Sequence, residues 1–251
     1  MSERVRRERQ FHDQRFALPT SRAHKVGRYY RITHTIWERY HQCIEANGVG
    51  ARVLELGCGP GADTPRLAKS GTPVVAVDIS RVALNAARAQ AEQEGVQTGA
   101  AFAQMNAEGL GFRDNSFDVV CGAGVLHHMQ ITEAMNDLSR VLRPTGRAIL
   151  IEPLGHNTLI NLFRRLTPKI RSEDEHPLLA KDLHLLLRYF HKVDVQYHYF
   201  AALLAAPLVR LPGFGSVLHA LESIDRLLFR LPFLRRQAWQ VLIKLSEPME
   251  R

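Results

Sequence analysis

The stretch that most constrains this chain is residues 53–64, VLELGCGPGADT. An apolar run passes straight into three glycines at alternate positions, Gly57, Gly59 and Gly61, and then into a helical pattern carrying Pro65 near its start. A strand, a glycine turn and a helix in that order open a βαβ unit, because only a flexible turn lets a buried strand feed a helix that packs back on it. Two registers fit the loop. Gly57, Gly59 and Ala62 make G-x-G-x-x-A, a cradle for a dinucleotide pyrophosphate. Gly57, Gly59 and Gly61 make G-x-G-x-G, a loop that closes around a ligand without a phosphate. The loop alone leaves both open.

The pattern continues for a hundred residues. Strands are expected at 51–56, 73–80, 100–107, 116–124 and 147–153, with helices at 62–71, 80–95 and 132–146 between them. Ser80 is the expected N-cap and Gly95 the stop of the 80–95 helix. Alternation of this kind implies right-handed crossovers and a mostly parallel sheet, with the ligand beyond the carboxyl ends of the strands. Tyr29 to Ile44 show helical spacing, and residues 1–25 are charged and expected to be poorly ordered. After residue 153 come two further strands, 192–200 and 238–246, separated by an apolar, arginine-bearing helical insert at about 201–236. We therefore expect one domain over 1–251. It is divided into an N-terminal helical lid (1–50), a cofactor-binding core (51–153) and an acceptor-side region (154–251).

Composition narrows the class. Of 251 residues, 45% are hydrophobic and 23% charged, enough apolar material for a full core without staples. Three scattered cysteines suit a reducing compartment. The start has no apolar signal segment, and prolines and Arg210 interrupt the apolar run at 201–218, so a soluble cytoplasmic protein is expected. The net charge of +8 gathers at Arg4–Arg9 and Arg226–Arg236, with no aromatic interleaving that would stack bases. A nucleic-acid partner is not expected; peripheral membrane contact is open, as is the oligomeric state.

Taken in order, VLELGCGPG, VVAVDIS, MNAEGLGFRDNSFDVVCGAGVLHHM and LSRVLRPTGRAILIEP resemble the class I S-adenosylmethionine-dependent methyltransferases, in the branch similar to quinone-biosynthesis enzymes. The resemblance runs from about Arg52 to Pro153 and implies a Rossmann-like, doubly wound α/β fold with a mostly parallel seven-stranded sheet. It implies S-adenosylmethionine as cofactor. Gly57, Gly59 and Gly61 would approach its methionine part, and Glu55 would anchor the amine. Asp78 would take the ribose hydroxyls and Ile79 would pack on the adenine. Asn106 stands where the family usually has an acid, followed by Ala107 and Glu108 at the adenine edge. Ala123 would receive the amine at its carbonyl, and His127 would line the pocket. No metal is expected from His127 and His128, since neighbours on a helix point apart.

Methyl transfer from a sulfonium is an in-line displacement in which the protein mainly positions the partners. A base is needed only if the acceptor must lose a proton. Candidates are Glu152 and His156 after the fifth strand, His176 in the acidic run 171–177, and Tyr30 on the lid. The expected acceptor is a hydrophobic small molecule, methylated at O or C: an isoprenoid, a prenylated aromatic, a polyketide or a lipid. The apolar insert is the expected lining of its pocket. An RNA methyltransferase, a nicotinamide dehydrogenase and a cofactor-binding module without turnover are the rival readings.

Overall fold

The computed structural model describes residues 2–17, 31–48, 50–168 and 171–249. Seven strands form one sheet in the order β3-β2-β1-β4-β5-β7-β6. They are β1 (Val53–Leu56), β2 (Val74–Asp78), β3 (Ala100–Gln104), β4 (Phe117–Ala123), β5 (Leu142–Pro153), β6 (Phe190–His198) and β7 (Gln240–Pro248). The first five are parallel; β7 runs antiparallel between β5 and β6. This is the Rossmann-like, doubly wound α/β arrangement.

Both faces of the sheet are covered, which is why its strands read as continuous apolar runs rather than alternating ones. Leu54, Val120, Leu150 and Ile243 point to one face, which is filled by Met135 and Leu138 of an Ile131–Val141 helix. Val53, Val119, Ile149 and Leu242 point to the other, covered by Ile36, Tyr40 and Ile44 of a His34–Gly48 helix. The strand order reverses direction between β1 and β4, so the loops after those strands diverge and leave a crevice between them.

Several local expectations change. Part of the stretch expected to be poorly ordered is helical: Glu3–Ala17 form helix α1, while residues 18–25 lie outside the described residues. Pairs four residues apart support it, with Arg7 on Glu3, His12 near Glu8 and Arg9 near Asp13. The helix expected at 132–146 stops at Val141, because Leu142 already pairs with Phe117 and Pro144 excludes a helical residue before it. β3 ends at Gln104; the Met105 N–H then donates to the Asp78 carbonyl and the chain turns toward the crevice. Ser80 does cap its helix, α4 (Arg81–Gln93, the fourth after α2, His34–Gly48, and α3, Thr64–Lys69), its hydroxyl accepting from the Ala83 N–H at 3.1 Å.

Candidate active site

The crevice holds a cavity of about 260 Å³. Its floor is the glycine loop after β1, its walls are the ends of β2 and β4, and its roof is α1. Gly57 and Gly59 both lie on the floor with φ of 61° and 54°, values that disfavour any side chain. A Cβ on Gly57 would also stand 2.7 Å from the Val125 methyl. Gly61 has another task. It does not line the cavity; with φ 90°, its absent Cβ would sit 2.9 Å from the Ala87 Cα, so it lets α4 pack against the loop. Ala62 lines the cavity instead. Gly61, expected to approach the ligand, thus lies off the cavity wall, and Ala62 lies on it.

Two buried carboxylates face this space. Glu55 accepts the Thr64 hydroxyl at 2.5 Å and is 3% exposed, and burial pushes its carboxyl up to about 8. Nothing in the described surroundings neutralises it, which fits an incoming ammonium. Asp78 accepts the Ser80 N–H at 2.7 Å and the Gly59 N–H at 2.8 Å, which hold its two oxygens at the end of β2. Burial raises its carboxyl, against the pull of those two donors. Ile79, Asn106, Ala107, Glu108 and Ala123 complete the lower walls. Glu108 does more than line the cavity: it accepts the Gln130 N–H at 2.6 Å and pairs with Arg4 of the roof.

The roof brings in residues that the sequence reading passed over. Arg4, Glu8, His12 and Phe16 of α1 line the cavity, as does His128 after β4. Glu8 is 3% exposed; its Oε1 accepts the Ser172 hydroxyl at 2.5 Å, and its Oε2 lies 3.1 Å from His128 Nδ1 and 3.4 Å from His12 Nε2. Burial pushes the Glu8 carboxyl up, but those three partners outweigh it and hold it well below the usual range. Glu8, His12 and His128 place three ligand atoms within 4.8 Å of one another, as do His127, His128 and Glu175, so both groups could hold a metal. His127 and His128 do not point apart: they sit on a 3-10 turn, and their ring centroids are 4.2 Å from each other. The one legible signal for the roof was the i,i+4 spacing of Glu8 and His12 on a helix.

The candidates for acceptor chemistry are not gathered here. Glu152 is fully buried on β5 and accepts from the N–H groups of Val125 and Leu126 at 2.9 and 2.7 Å and from His127 Nδ1 at 2.8 Å. It shapes the turn after β4 rather than facing the cleft, and His127 is occupied by it rather than lining the cavity. His156 Nε2 accepts the Ala180 N–H at 3.1 Å and ties two segments of the acceptor-side region together. The His176 ring contacts the Asp174 carbonyl at 3.0 Å, while the backbone N–H of His176 donates to the His127 carbonyl at 2.8 Å. Tyr30 lies outside the described residues. The 171–177 run serves the roof: Asp174 pairs with Arg7, Ser172 with Glu8. No residue of 201–236 lines this cavity, so the insert expected to line the acceptor pocket does not wall it.

Residues 54–150 match a family model described as a methyltransferase domain. The ubiquinone/menaquinone biosynthesis C-methyltransferase UbiE of Hahella chejuensis (strain KCTC 2396) is 37% identical over 125 residues, 47% of this chain and 49% of that protein. The chain thus spans about half the length of the curated relatives it matches. Among solved structures, geranyl diphosphate C-methyltransferase from Streptomyces coelicolor A3(2) is similar over 98% of both chains, with a TM-score of 0.66 at 10% identity. A Haemonchus contortus phosphoethanolamine N-methyltransferase has a TM-score of 0.65 at 17% identity, over 96% of this chain and 60% of that one. At these identities the two structures speak to the fold alone.

Proposed function

We propose that this chain, whose core is a class I S-adenosylmethionine-dependent methyltransferase domain, transfers a methyl group to an oxygen or carbon of a hydrophobic small molecule. The observation that carries the reading is the pairing of two halves around one cavity: a glycine floor with two buried acids, and a roof with a carboxylate-held histidine pair.

The residues suit the cofactor. Glu55, buried and without a cation, matches its ammonium; Asp78, with its oxygens oriented by two backbone donors, matches the ribose hydroxyls; Ile79 and the Asn106–Ala107 pair match the adenine. The backbone at Gly57, where a Cβ would fill the space, admits the methionine part. When bound, S-adenosylmethionine supplies a methyl on a sulfonium that needs no further activation. The protein's work is then on the acceptor. Glu8 Oε2 lies beside His128 Nδ1 and His12 Nε2, and both imidazoles line the cavity, where either suits the role of base toward an acceptor hydroxyl or ring carbon. The Arg4 and Ser172 contacts hold α1 over the site. The largely apolar lining, with Val125, Met105, Met129 and Phe16, suits an apolar acceptor. Similarity of the core to a C-methyltransferase of quinone biosynthesis supports the same class.

Incubation with methyl-labelled S-adenosylmethionine and separate panels of demethylated quinols, prenylated phenols and bulk RNA tests this. Label in an organic extract of one small-molecule panel is expected. Label in RNA, or cofactor binding with no labelled product from any panel, would overturn it in favour of an RNA enzyme or a binding module.

A further inference from the structure

We propose that two solvent-facing helices at the carboxyl end of the sheet, α6 (Thr158–Leu166, the next after α5, Ile131–Val141) and α8 (Phe214–Leu228, the next after α7, Ala180–Leu185), seat the protein on an anionic phospholipid bilayer. The inference goes beyond methyl transfer and does not depend on it.

Each helix carries an apolar stripe on its outer side. On α8, Val217, Ala220, Ile224 and Leu227 recur at helical spacing, all are exposed, and Leu231 continues the line. The opposite stripe, Leu218, Glu222, Asp225 and the following Phe229, is the buried one. The helix is therefore apolar on the side that should be polar in a surface helix. On α6 no residue is buried, and Leu159, Leu162 and Leu166 are 56–73% exposed, again one face of a helix. Phe233, in the short helix after α8, is 66% exposed. Apolar exposure of this extent on one end of a protein marks an interaction surface.

The charge pattern says which surface. Residues 201–236 contain two acids, Glu222 and Asp225, and both are buried beneath α8. Asp225 is used there, accepting the N–H groups of Phe200, Ala201 and Ala202 at 2.6–3.2 Å. Residues 154–168 contain no acid at all. Outward charges on these segments are cationic: Arg165, Arg210, Arg226, Arg230 and Arg236 are all exposed. Leucine stripes flanked by arginine, with acids withdrawn to the inside, are what an interfacial helix needs to enter a negatively charged headgroup layer. The surface of a second protein copy with this same charge would repel it.

The two helices stand at one end of the molecule. α6 starts beyond Pro153, and Gln240 pairs with Pro153 and with His198, so the 199–239 insert leaves the sheet at that same end. Gln237 bridges them, its side chain accepting from Thr158 at 3.1 Å. The cofactor cavity lies at the carboxyl ends of β1, β2 and β4, also at this end. A membrane-seated face would thus bring the cavity close to lipid-dissolved molecules.

Co-sedimentation with vesicles tests the proposal. Wild-type protein should bind phosphatidylcholine/phosphatidylglycerol vesicles and lose roughly tenfold in binding on pure phosphatidylcholine or in high salt. The double substitution Ile224→Asp/Leu227→Asp and the single Leu162→Asp should each weaken binding to the anionic vesicles severalfold. Leu187→Asp, an equally exposed leucine that precedes β6 at the amino end of the sheet, should not. Circular dichroism and thermal melts establish that each variant is folded; a variant that is not is replaced by Leu159→Ser or Val217→Ser. Absence of vesicle binding overturns the proposal. So does binding that the stripe substitutions leave unchanged, or a stable dimer in solution that those substitutions dissociate.

Discussion

The floor and the roof of the cavity are held in different ways. The floor is local. Its glycines, Asp78 and Ser80 lie within 24 residues of one another, and backbone geometry does most of the work: positive φ at Gly57, Gly59 and Gly61, and backbone N–H groups aimed at one carboxylate. The roof is assembled from side chains far apart in the chain. Arg4 reaches Glu108, Arg7 reaches Asp174 and Glu8 reaches Ser172. A floor of fixed backbone tolerates little change; a roof of ion pairs and hydrogen bonds can open and close. The difference teaches that the two sides of the cavity are built by separate parts of the chain, which on the proposed function serve cofactor recognition and access and which substitutions should separate.

The largest effect should come from the floor. Asp78→Ala removes the acceptor of two backbone N–H groups as well as the proposed ribose partner, and should weaken S-adenosylhomocysteine binding about 100-fold by calorimetry. Unchanged affinity would break the assignment of Asp78. Next comes the roof: Glu8→Gln should lower the rate of methyl transfer about 100-fold while cofactor affinity changes little, if the carboxylate acts through His128 and His12 as proposed. An equal loss of both would merge floor and roof into one unit. Within the floor, Gly61→Ala forces a Cβ against the Ala87 backbone and should cost about 2–3 kcal/mol of stability in urea. Gly59→Ala, with only ordinary contact to Phe16 at 3.6 Å, should cost about 1 kcal/mol from its φ alone.

A fourth test uses pH. The folded-state carboxyl of Glu55 is raised to about 8, whereas its unfolded value is near 4.5. Between those values the folded protein holds a proton that the unfolded chain has released, so stability falls as pH rises from about 4.5 to 8, by up to about 1.4 kcal/mol per pH unit from this group. Glu55→Gln should flatten that slope in urea titrations at pH 6 and 8. Bound cofactor should flatten it too, because on the proposed assignment its ammonium stabilises the ionised form. The smallest effect belongs to the rim: Arg7→Ala breaks an exposed pair with Asp174 and should move the melting temperature by about 1 °C or less. A large shift there would mean that the roof is as fixed as the floor.

Much of the floor was legible in the sequence. The strand–glycine–helix step, Asp78 ending a β-branched run and Ser80 as a cap are all short-range patterns, and each lies where its pattern puts it. The helix boundary before β5 was not, since Leu142 is claimed by a strand partner 25 residues away, and no periodicity in 132–146 records that. Glu152 and His156 were singled out because they follow a strand at the right end of the sheet. Position along the chain does not say which way a side chain turns, and Glu152 turns inward to the backbone of Val125 and Leu126. α1 was the largest omission: its charge looks like that of a solvated tail, and only its partners on distant segments, at Ser80, Glu108, His128 and 172–174, make it a roof.

By itself the sequence determined that this chain builds a Rossmann-like sheet with a glycine loop and an acid at the end of the second strand, because strand burial, glycine φ and helix capping are all decided within a few residues. The tertiary structure alone decided that Gly61 serves packing and Ala62 the cavity, that Glu8, His12 and His128 meet over the site, and that the apolar stripe of α8 faces outward. Each of these depends on contacts between segments distant in the chain, where local residue pattern carries no information about the partner.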